Sequence, residues 1–270
     1  MGRRLGQHFL FDPSILDRIV GALEPASGDV VLEIGPGRGT LTERLLPRVG
    51  RVVALEKDPA LAAGLRERAA GSLEVVDGDA LKLDWHGLVS GAVGTPCAYK
   101  VVGNIPYYIT SPLIEKALTA PLPRVVVFLV QREVADRLVA APGTREFGAL
   151  TVGVGVVADV ERLFGVPAGA FRPRPKVESA VVRLTPRAEP LVGEQEHPAF
   201  RRFVQALFGR RRKQLAGILR GVSGLGRDEV EARLAALGLA PTARPETVTV
   251  PRFVGLYRAF GTGVALDSEP

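Results

Sequence analysis

Two short motifs, each directly behind an apolar run of strand length, constrain this chain more than anything else in it. Glu33-Ile34-Gly35-Pro36-Gly37-Arg38-Gly39 follows Val30-Val31-Leu32, and Asn104-Ile105-Pro106-Tyr107 follows Tyr99-Lys100-Val101-Val102-Gly103. Strands that end in tight turns and hand over to helices are the building units of an open, mostly parallel sheet. The flanking pattern agrees. Strand-like runs at 30–34, 51–56, 73–76, 99–102 and 125–130 alternate with helical stretches near 13–23, 41–48, 59–70, 112–118 and 132–139. The run Val125-Val126-Val127-Phe128-Leu129-Val130 has no polar alternation, as expected of a strand covered on both faces. An α/β fold follows, with helices on both sides of the sheet. Further strand-like segments near 151–158 and 177–184 have no helix of ordinary length between them, and are expected to pair as an antiparallel edge.

After Leu184 the composition changes. Thr185-Pro186-Arg187-Ala188-Glu189-Pro190 reads as a linker, with two prolines bracketing a polar stretch. Helical patterns follow at 197–208, 211–219, 227–237 and 247–260. The expected organisation is therefore an α/β domain over residues 1–185 and a small helical domain over 190–262. The tail from Gly261 is expected to fray.

The glycines of the first motif allow a tight turn and bring backbone N–H groups close to a ligand. Glu56, at the end of the second long strand, lies 21 residues after Gly35. At that spacing a carboxylate meets the ribose hydroxyls of a nucleotide cofactor. A further acid, Asp79, closes the third such strand in Asp77-Gly78-Asp79-Ala80 and suits an adenine amino group. The loop departs from the dinucleotide fingerprint, because Thr40 stands where a third Gly or Ala is expected. It lacks the Lys-Ser/Thr pair of a P-loop. A turn of this kind with a ribose acid and an adenine acid fits S-adenosylmethionine better than NAD. Taken alone, the glycines also suit a plain strand-to-helix turn.

The second motif suits a planar amine. The exocyclic nitrogen of adenine is a poor nucleophile, because its lone pair is delocalised into the ring. An Asn side-chain carbonyl and a neighbouring backbone carbonyl can each accept one N–H and localise that pair toward a methyl donor. Pro106 fixes φ and donates no hydrogen bond. Tyr107 offers a flat face for an extruded base, a contact worth on the order of 1–3 kcal/mol. Alone, the tetrapeptide is as compatible with a proline turn and a core tyrosine. Behind a strand, in one chain with the cofactor loop, it points to methyl transfer onto a base nitrogen.

Composition narrows the alternatives. A chain with 46% hydrophobic and 24% charged residues is an ordinary globular protein. The single cysteine, Cys97, excludes an internal disulfide, and His8, His86 and His197 lack metal-ligand spacing, so no metal is expected. No apolar stretch approaches the roughly 20 residues of a membrane span. Met1-Gly2-Arg3-Arg4-Leu5-Gly6 lacks the apolar segment of a signal peptide, so a cytoplasmic location is expected. The net charge is +6, which permits a polyanionic partner. Residues 190–270 hold 12 of the 35 Lys and Arg and 8 of the 29 Asp and Glu, a net of +4. Arg201, Arg202, Arg210, Arg211, Arg212, Lys213 and Arg220 are interleaved with Phe200, Phe203, Val204, Leu207, Leu215, Ile218 and Leu219. The apolar side should face a core and the cations should face outward, either as a solvated surface or toward RNA phosphates.

With their flanks, these residues resemble the ribosomal RNA adenine N6,N6-dimethyltransferases, the KsgA-like family. The resemblance runs from Leu5-Gly6-Gln7-His8-Phe9-Leu10 through the motifs above and Gln131-Arg132-Glu133-Val134. It continues through Phe171-Arg172-Pro173-Arg174-Pro175-Lys176-Val177-Glu178-Ser179 and ends at Phe208-Gly209-Arg210-Arg211-Arg212-Lys213-Gln214-Leu215. It implies a Rossmann-like, S-adenosylmethionine-dependent methyltransferase domain followed by a helical RNA-binding domain. It further implies His8, Leu10, Gly35, Glu56, Asp79 and Asn104 at the cofactor, and Asn104, Tyr107 and Phe171 around the target base. Arg210, Arg211, Arg212 and Lys213 would face RNA. His8 stands where the family commonly has Asn. The implied substrate is a pair of adjacent adenosines near the 3′ end of small-subunit rRNA, in an assembling subunit; no membrane or DNA partner is expected, and from its size alone the chain is expected to be a monomer. A related resistance methyltransferase acting on large-subunit rRNA shares Asn-Ile-Pro-Tyr, so the tetrapeptide does not separate the two; the Phe208 to Leu215 segment leans to the small-subunit enzyme. A competitor of another class is an RNA-binding assembly factor without catalysis. DNA and protein-glutamine methyltransferases usually carry Asn-Pro-Pro-Tyr instead.

Overall fold

The computed structural model describes residues 8–68 and 71–261. Leu5-Gly6-Gln7, the last two residues of the helix expected over 59–70, and the tail and domain end expected beyond Gly261 lie outside the described residues. The strands are β1 (Phe9–Leu10), β2 (Val30–Ile34), β3 (Arg51–Glu56), β4 (Leu73–Asp77), β5 (Lys100–Asn104), β6 (Val125–Gln131), β7 (Ala158–Val166), β8 (Phe171–Arg172) and β9 (Ser179–Pro186). Helices α1 (Pro13–Ala22), α2 (Thr42–Leu45), α3 (Pro59–Arg66), α4 (Trp85–Val93), α5 (Thr110–Ala117) and α6 (Arg132–Leu138) alternate with the first six strands. They are followed by α7 (Ala149–Gly155), α8 (His197–Phe208), α9 (Leu215–Ser223), α10 (Arg227–Ala236) and α11 (Val250–Phe260).

Seven strands form one sheet in the order β4-β3-β2-β5-β6-β9-β7. The first five of these run parallel, and β9 lies antiparallel to β6. β2 and β3 lead away from the centre in one direction and β5 and β6 in the other, so the crevice at the carboxyl ends of β2 and β5 is the topological switch point. All five residues of β2 are buried, as are the first six of β6. Such strands need apolar side chains on both faces, which is why the Val-rich runs were readable.

Two helices begin where the crevice needs them, and for the same local reason. Asp12 precedes Pro13, and its Oδ1 accepts the N–H groups of Ser14 at 2.9 Å and Ile15 at 3.2 Å. Asp58 precedes Pro59 and caps Ala60 and Leu61 in the same way. An Asp N-cap satisfies orphan N–H groups, and proline at the first helical position loses nothing because its N–H would be unpaired anyway. α1 therefore starts directly after β1, and α3 directly after Glu56.

The two compact units comprise the chain up to Ala135 with Val160–Pro186, and Asp136–Asp159 with the chain from Arg187 onward. The second unit thus takes in a stretch that the sequence pattern grouped with the first 185 residues. Within it the expected strand at 151–158 is a correction: Ala149–Gly155 is helical, and the strand begins only at Ala158. Val-Gly-Val-Gly alternation mimics a strand, but the glycines are where neighbours approach the helix. A Cβ on Gly153 would meet Arg201 at 3.6 Å, and one on Gly155 would meet Val250 at 3.3 Å. The strand that neighbours β9 is therefore β7. The helix expected over 211–219 begins at Leu215, after Gln214 in extended conformation, so Arg210 to Lys213 occupy a turn. α4 was not anticipated at all. No helix among the described residues is long and apolar enough to cross a membrane.

At the base of the sheet, Lys100 Nζ donates to Asp29 Oδ2 at 2.6 Å and to the carbonyls of Glu24 and Leu23 at 2.7 and 3.0 Å. The two charged side chains are each only 11% exposed. The amine thus ties the end of α1 to the start of the two central strands. Lys100→Met should lower unfolding stability by about 3 kcal/mol, because it strands a largely buried carboxylate and two carbonyls. A urea titration checks this; a midpoint unchanged from wild type would mean the amine holds nothing.

Candidate active site

The carboxyl ends of β2, β3 and β5, the turn after β4 and the segment entering β1 enclose one cavity. Parallel pairing fixes the geometry. Ile34 of β2 lies opposite Gly103 of β5, so the glycine loop and the Asn104 tetrapeptide leave the sheet side by side. A Cβ on Gly103 would fall 2.6 Å from the Ile34 carbonyl, so only glycine allows this approach. Gly37 is constrained twice: its φ is +58°, and a Cβ there would lie 2.9 Å from the Phe9 ring.

Three carboxylates face this crevice, and each is held differently. Glu56 is 4% exposed. Its Oε2 accepts the Gly37 N–H at 2.9 Å, and its Oε1 accepts the Asp58 N–H at 2.9 Å. The strand-end acid therefore sets the shape of the glycine loop while keeping further lone pairs for a donor in the cavity. Asp79 Oδ1 accepts the Leu81 N–H at 3.0 Å, and Oδ2 takes Lys57 Nζ at 2.8 Å. The Lys57 hydrogen bond holds the Asp79 carboxyl below the usual carboxylate range. Glu33 is 1% exposed and accepts from Thr42 Oγ1 at 2.7 Å. Burial pushes its carboxyl up to about 7; the Thr42 bond opposes that shift and the Glu56 charge adds to it.

On the other wall, Asn104 Nδ2 donates to the His8 carbonyl at 2.8 Å. The amide nitrogen is thereby committed to the β1 segment, and Oδ1 is the side chain's acceptor. The Tyr107 hydroxyl is 2.7 Å from Ser179 Oγ, at the start of β9, and burial raises its phenol. The His8 ring stacks on Tyr107 with centroids 5.7 Å apart, and His8 Nδ1 lies 2.7 Å from the Pro173 carbonyl, to which it donates as Nδ1–H.

Of the residues expected from sequence, His8, Leu10, Gly35, Glu56, Asp79, Asn104 and Tyr107 line this cavity. Phe171 does not. It is 2% exposed and packs in the hydrophobic core, while its backbone pairs with Leu10 across β8 and β1. Through that pairing it backs the strand whose Leu10 lines the cavity. Arg210, Arg211, Arg212 and Lys213 lie in the turn between α8 and α9 of the second unit; all but Arg211 are exposed, and Arg211 reaches the Arg145 carbonyl at 3.4–3.5 Å. Sequence reasoning missed Lys57, Phe9 and Tyr108 as cavity residues. The signal for Lys57 was its place directly after the strand-end acid.

A parallel sheet with a glycine loop, a strand-end acid and an Asn-Ile-Pro-Tyr turn at its switch point defines a nucleotide-cofactor methyltransferase of the Rossmann-like class. The chain matches the family described as ribosomal RNA adenine dimethylase over residues 2–246, and it belongs to that family. It is 43% identical over 252 residues to the ribosomal RNA small subunit methyltransferase A of Syntrophotalea carbinolica, covering 93% of both chains. It is 41% identical over 261 residues to the protein of that name from Moorella thermoacetica, covering 94% of this chain and 90% of the relative. Among solved structures it resembles a dimethyladenosine transferase from Plasmodium falciparum, with a TM-score of 0.82, 28% identity and coverage of 95% of this chain and 98% of that one. It also resembles the 23S rRNA methyltransferase ErmE, with a TM-score of 0.71, 31% identity and coverage of 93% and 99%. The chain is thus an S-adenosylmethionine-dependent rRNA adenine dimethyltransferase by family.

Glu33 makes stability depend on pH with a definite sign. Its folded value of about 7 exceeds the ordinary 4.5, so the folded state holds the proton more tightly. Stability contributed at this site is therefore intact below pH ~4.5 and is lost as pH rises through ~7, by roughly 3 kcal/mol in full. Glu33→Gln keeps the shape and removes the titration. The variant should gain on wild type across that window and be the more stable of the two at pH 8. Parallel denaturation curves at pH 4.5 and 8 would contradict the assignment.

Proposed function

We propose that this chain transfers methyl groups to N6 of two adjacent adenosines near the 3′ end of small-subunit rRNA, twice per base, in an assembling subunit in the cytoplasm. The observation that carries the chemistry is the juxtaposition of Asn104 with the glycine loop across the β2–β5 pair. The choice of small subunit is supported by relatives about 40% identical over nearly the whole chain that bear that name.

The donor set suits S-adenosylmethionine. Glu56 would take the ribose hydroxyls and Asp79 the adenine amino group, with Gly35, His8 and Leu10 around the methionine end. When bound, the cofactor supplies a methyl group on a positively charged sulfur. The protein's own work is on the acceptor. Asn104 Oδ1 and a backbone carbonyl near Ile105 and Pro106 accept the two N6–H bonds, which turns the nitrogen lone pair out of the ring. The Asn104 amide is held for this task by the His8 carbonyl. Tyr107, fixed by Ser179 through its hydroxyl and covered on one face by His8, presents its other face to the base. As the nitrogen forms its new bond to carbon it becomes acidic, and its proton leaves to water, so no strong base is needed. Orientation carries the rate.

Asn104→Ala should lower methyl transfer at least about 100-fold, far more than any loss of cofactor affinity read by calorimetry. Retained transfer would remove Asn104 from catalysis. An RNA-binding factor without catalysis would keep its binding and show no transfer even as wild type. The exposed Arg210, Arg212 and Lys213, and Arg211 beside them, are proposed to neutralise rRNA phosphates. Replacing all four with Ala should flatten the slope of log K against log salt by about 3, at roughly 0.7–0.9 per lost contact. An unchanged slope would assign them to a solvated surface.

A further inference from the structure

Among the described residues only four large apolar side chains are exposed: Phe11, Tyr108, Val139 and Val177. Tyr108 lines the cavity described above, Phe11 directly follows the lining residue Leu10, and Val177 lies in the loop that His8 touches. Phe11 follows Leu10 on the β1 segment and is 44% exposed. Tyr108 lines the cavity and is 61% exposed. Val177 sits in the loop from β8 to β9, whose Pro173 carbonyl receives His8.

These side chains are held outward. The Phe11 N–H donates to the Ala170 carbonyl at 3.1 Å and Asp12 caps α1, so the backbone on both sides of the ring is fixed. The Arg172 guanidinium lies 5.0 Å from the Phe11 ring centroid, a cation–π contact that steadies the ring. Tyr107 and Tyr108 are neighbours in one short turn, yet the first is bonded inward to Ser179 and the second is the most exposed large apolar side chain among the described residues. The same rim is positive. Arg172, Arg174 and Lys176 are exposed in five residues, and the nearby acid in that loop, Glu178, is already paired with Arg132 at 2.8 Å.

We propose that Phe11 and Tyr108 are stacking platforms for the nucleotides flanking the target adenosine, with Arg172, Arg174 and Lys176 on their phosphates. An extruded base drags its neighbours to the mouth of the pocket, and unstacked bases are stabilised by aromatic faces beside cations. Charge selects the occupant: flat rings beside exposed cations fit single-stranded RNA. The inference rests on the reading of the site as an adenosine N6-methyltransferase.

The test uses the full chain and a single-stranded decaribonucleotide containing two adjacent adenosines, with binding read by fluorescence anisotropy. Removing the base on either side of the adenosine pair, as an abasic nucleotide, should weaken wild-type binding about 5- to 100-fold. Phe11→Ala should weaken the intact RNA equally and lose little more on the abasic one, with cofactor affinity unchanged, and Tyr108→Ala should show the same loss on the intact RNA and the same indifference to the missing base. Equal binding of intact and abasic RNA to the wild type would overturn the proposal without any variant, so a misfolded variant cannot rescue it. Variants that bind RNA as wild type but lose a ribosomal protein would overturn it in favour of a protein contact. Separately, wild type that binds cofactor yet methylates no ribosomal subunit would sink the underlying reading, whereas normal methylation with indifferent flanks sinks only the platforms.

Discussion

The pairing of β2 with β5 is the constraint on which the site depends. The two motifs are about seventy residues apart in the chain, and neither is diagnostic alone. Parallel register sets Ile34 opposite Gly103, and the missing side chain at Gly103 lets the two strand ends close to a distance that a Cβ would forbid. Gly35 and Asn104 then emerge as neighbours: a Cβ on Gly35 would sit 3.8 Å from the Asn104 carbonyl oxygen. The glycine loop and the Asn-Ile-Pro-Tyr turn become one crevice through backbone pairing, before any side chain contributes.

Side chains then add rigidity. Glu56 holds the glycine loop and the start of α3 with its two oxygens, so the carboxylate proposed to take the ribose also shapes the glycine turn. Asn104 and Tyr107 are each tied to a different element, one to the His8 carbonyl and one to Ser179. Such contacts hold the side chains proposed to position the amine and the base, where small misplacements are costly. The acids are electrostatically distinct as well. Asp79 is kept charged by Lys57, while burial leaves Glu33 poised near neutrality.

Much of this was legible because its physics is local. Val-rich buried strands, Asp-Pro helix starts and glycine turns are signalled by residue type and spacing, and 30–34 and 51–56 match β2 and β3 to the residue. What was illegible depends on tertiary partners. α7 has a strand-like sequence yet is helical, and its Gly155 packs closely against Val250 of α11. α4 carries two glycines in nine residues and starts after Asp84, with the Trp85 indole bonded back to the Ala80 carbonyl, a contact no periodicity announces. Phe171 was expected beside the base and lies in the core, since its motif does not reveal which way a two-residue strand turns its ring. His8 meets Asn104 through its carbonyl, which residue identity could not show.

The most direct test of the central claim is methyl transfer to unmodified small and large ribosomal subunits, with the rRNA digested and mapped by mass spectrometry. The account predicts dimethyladenosine at two adjacent positions near the 3′ end of the small-subunit rRNA, and none in the large subunit. Methylated adenosine confined to large-subunit rRNA, or cofactor binding with no transfer to either particle, would contradict it.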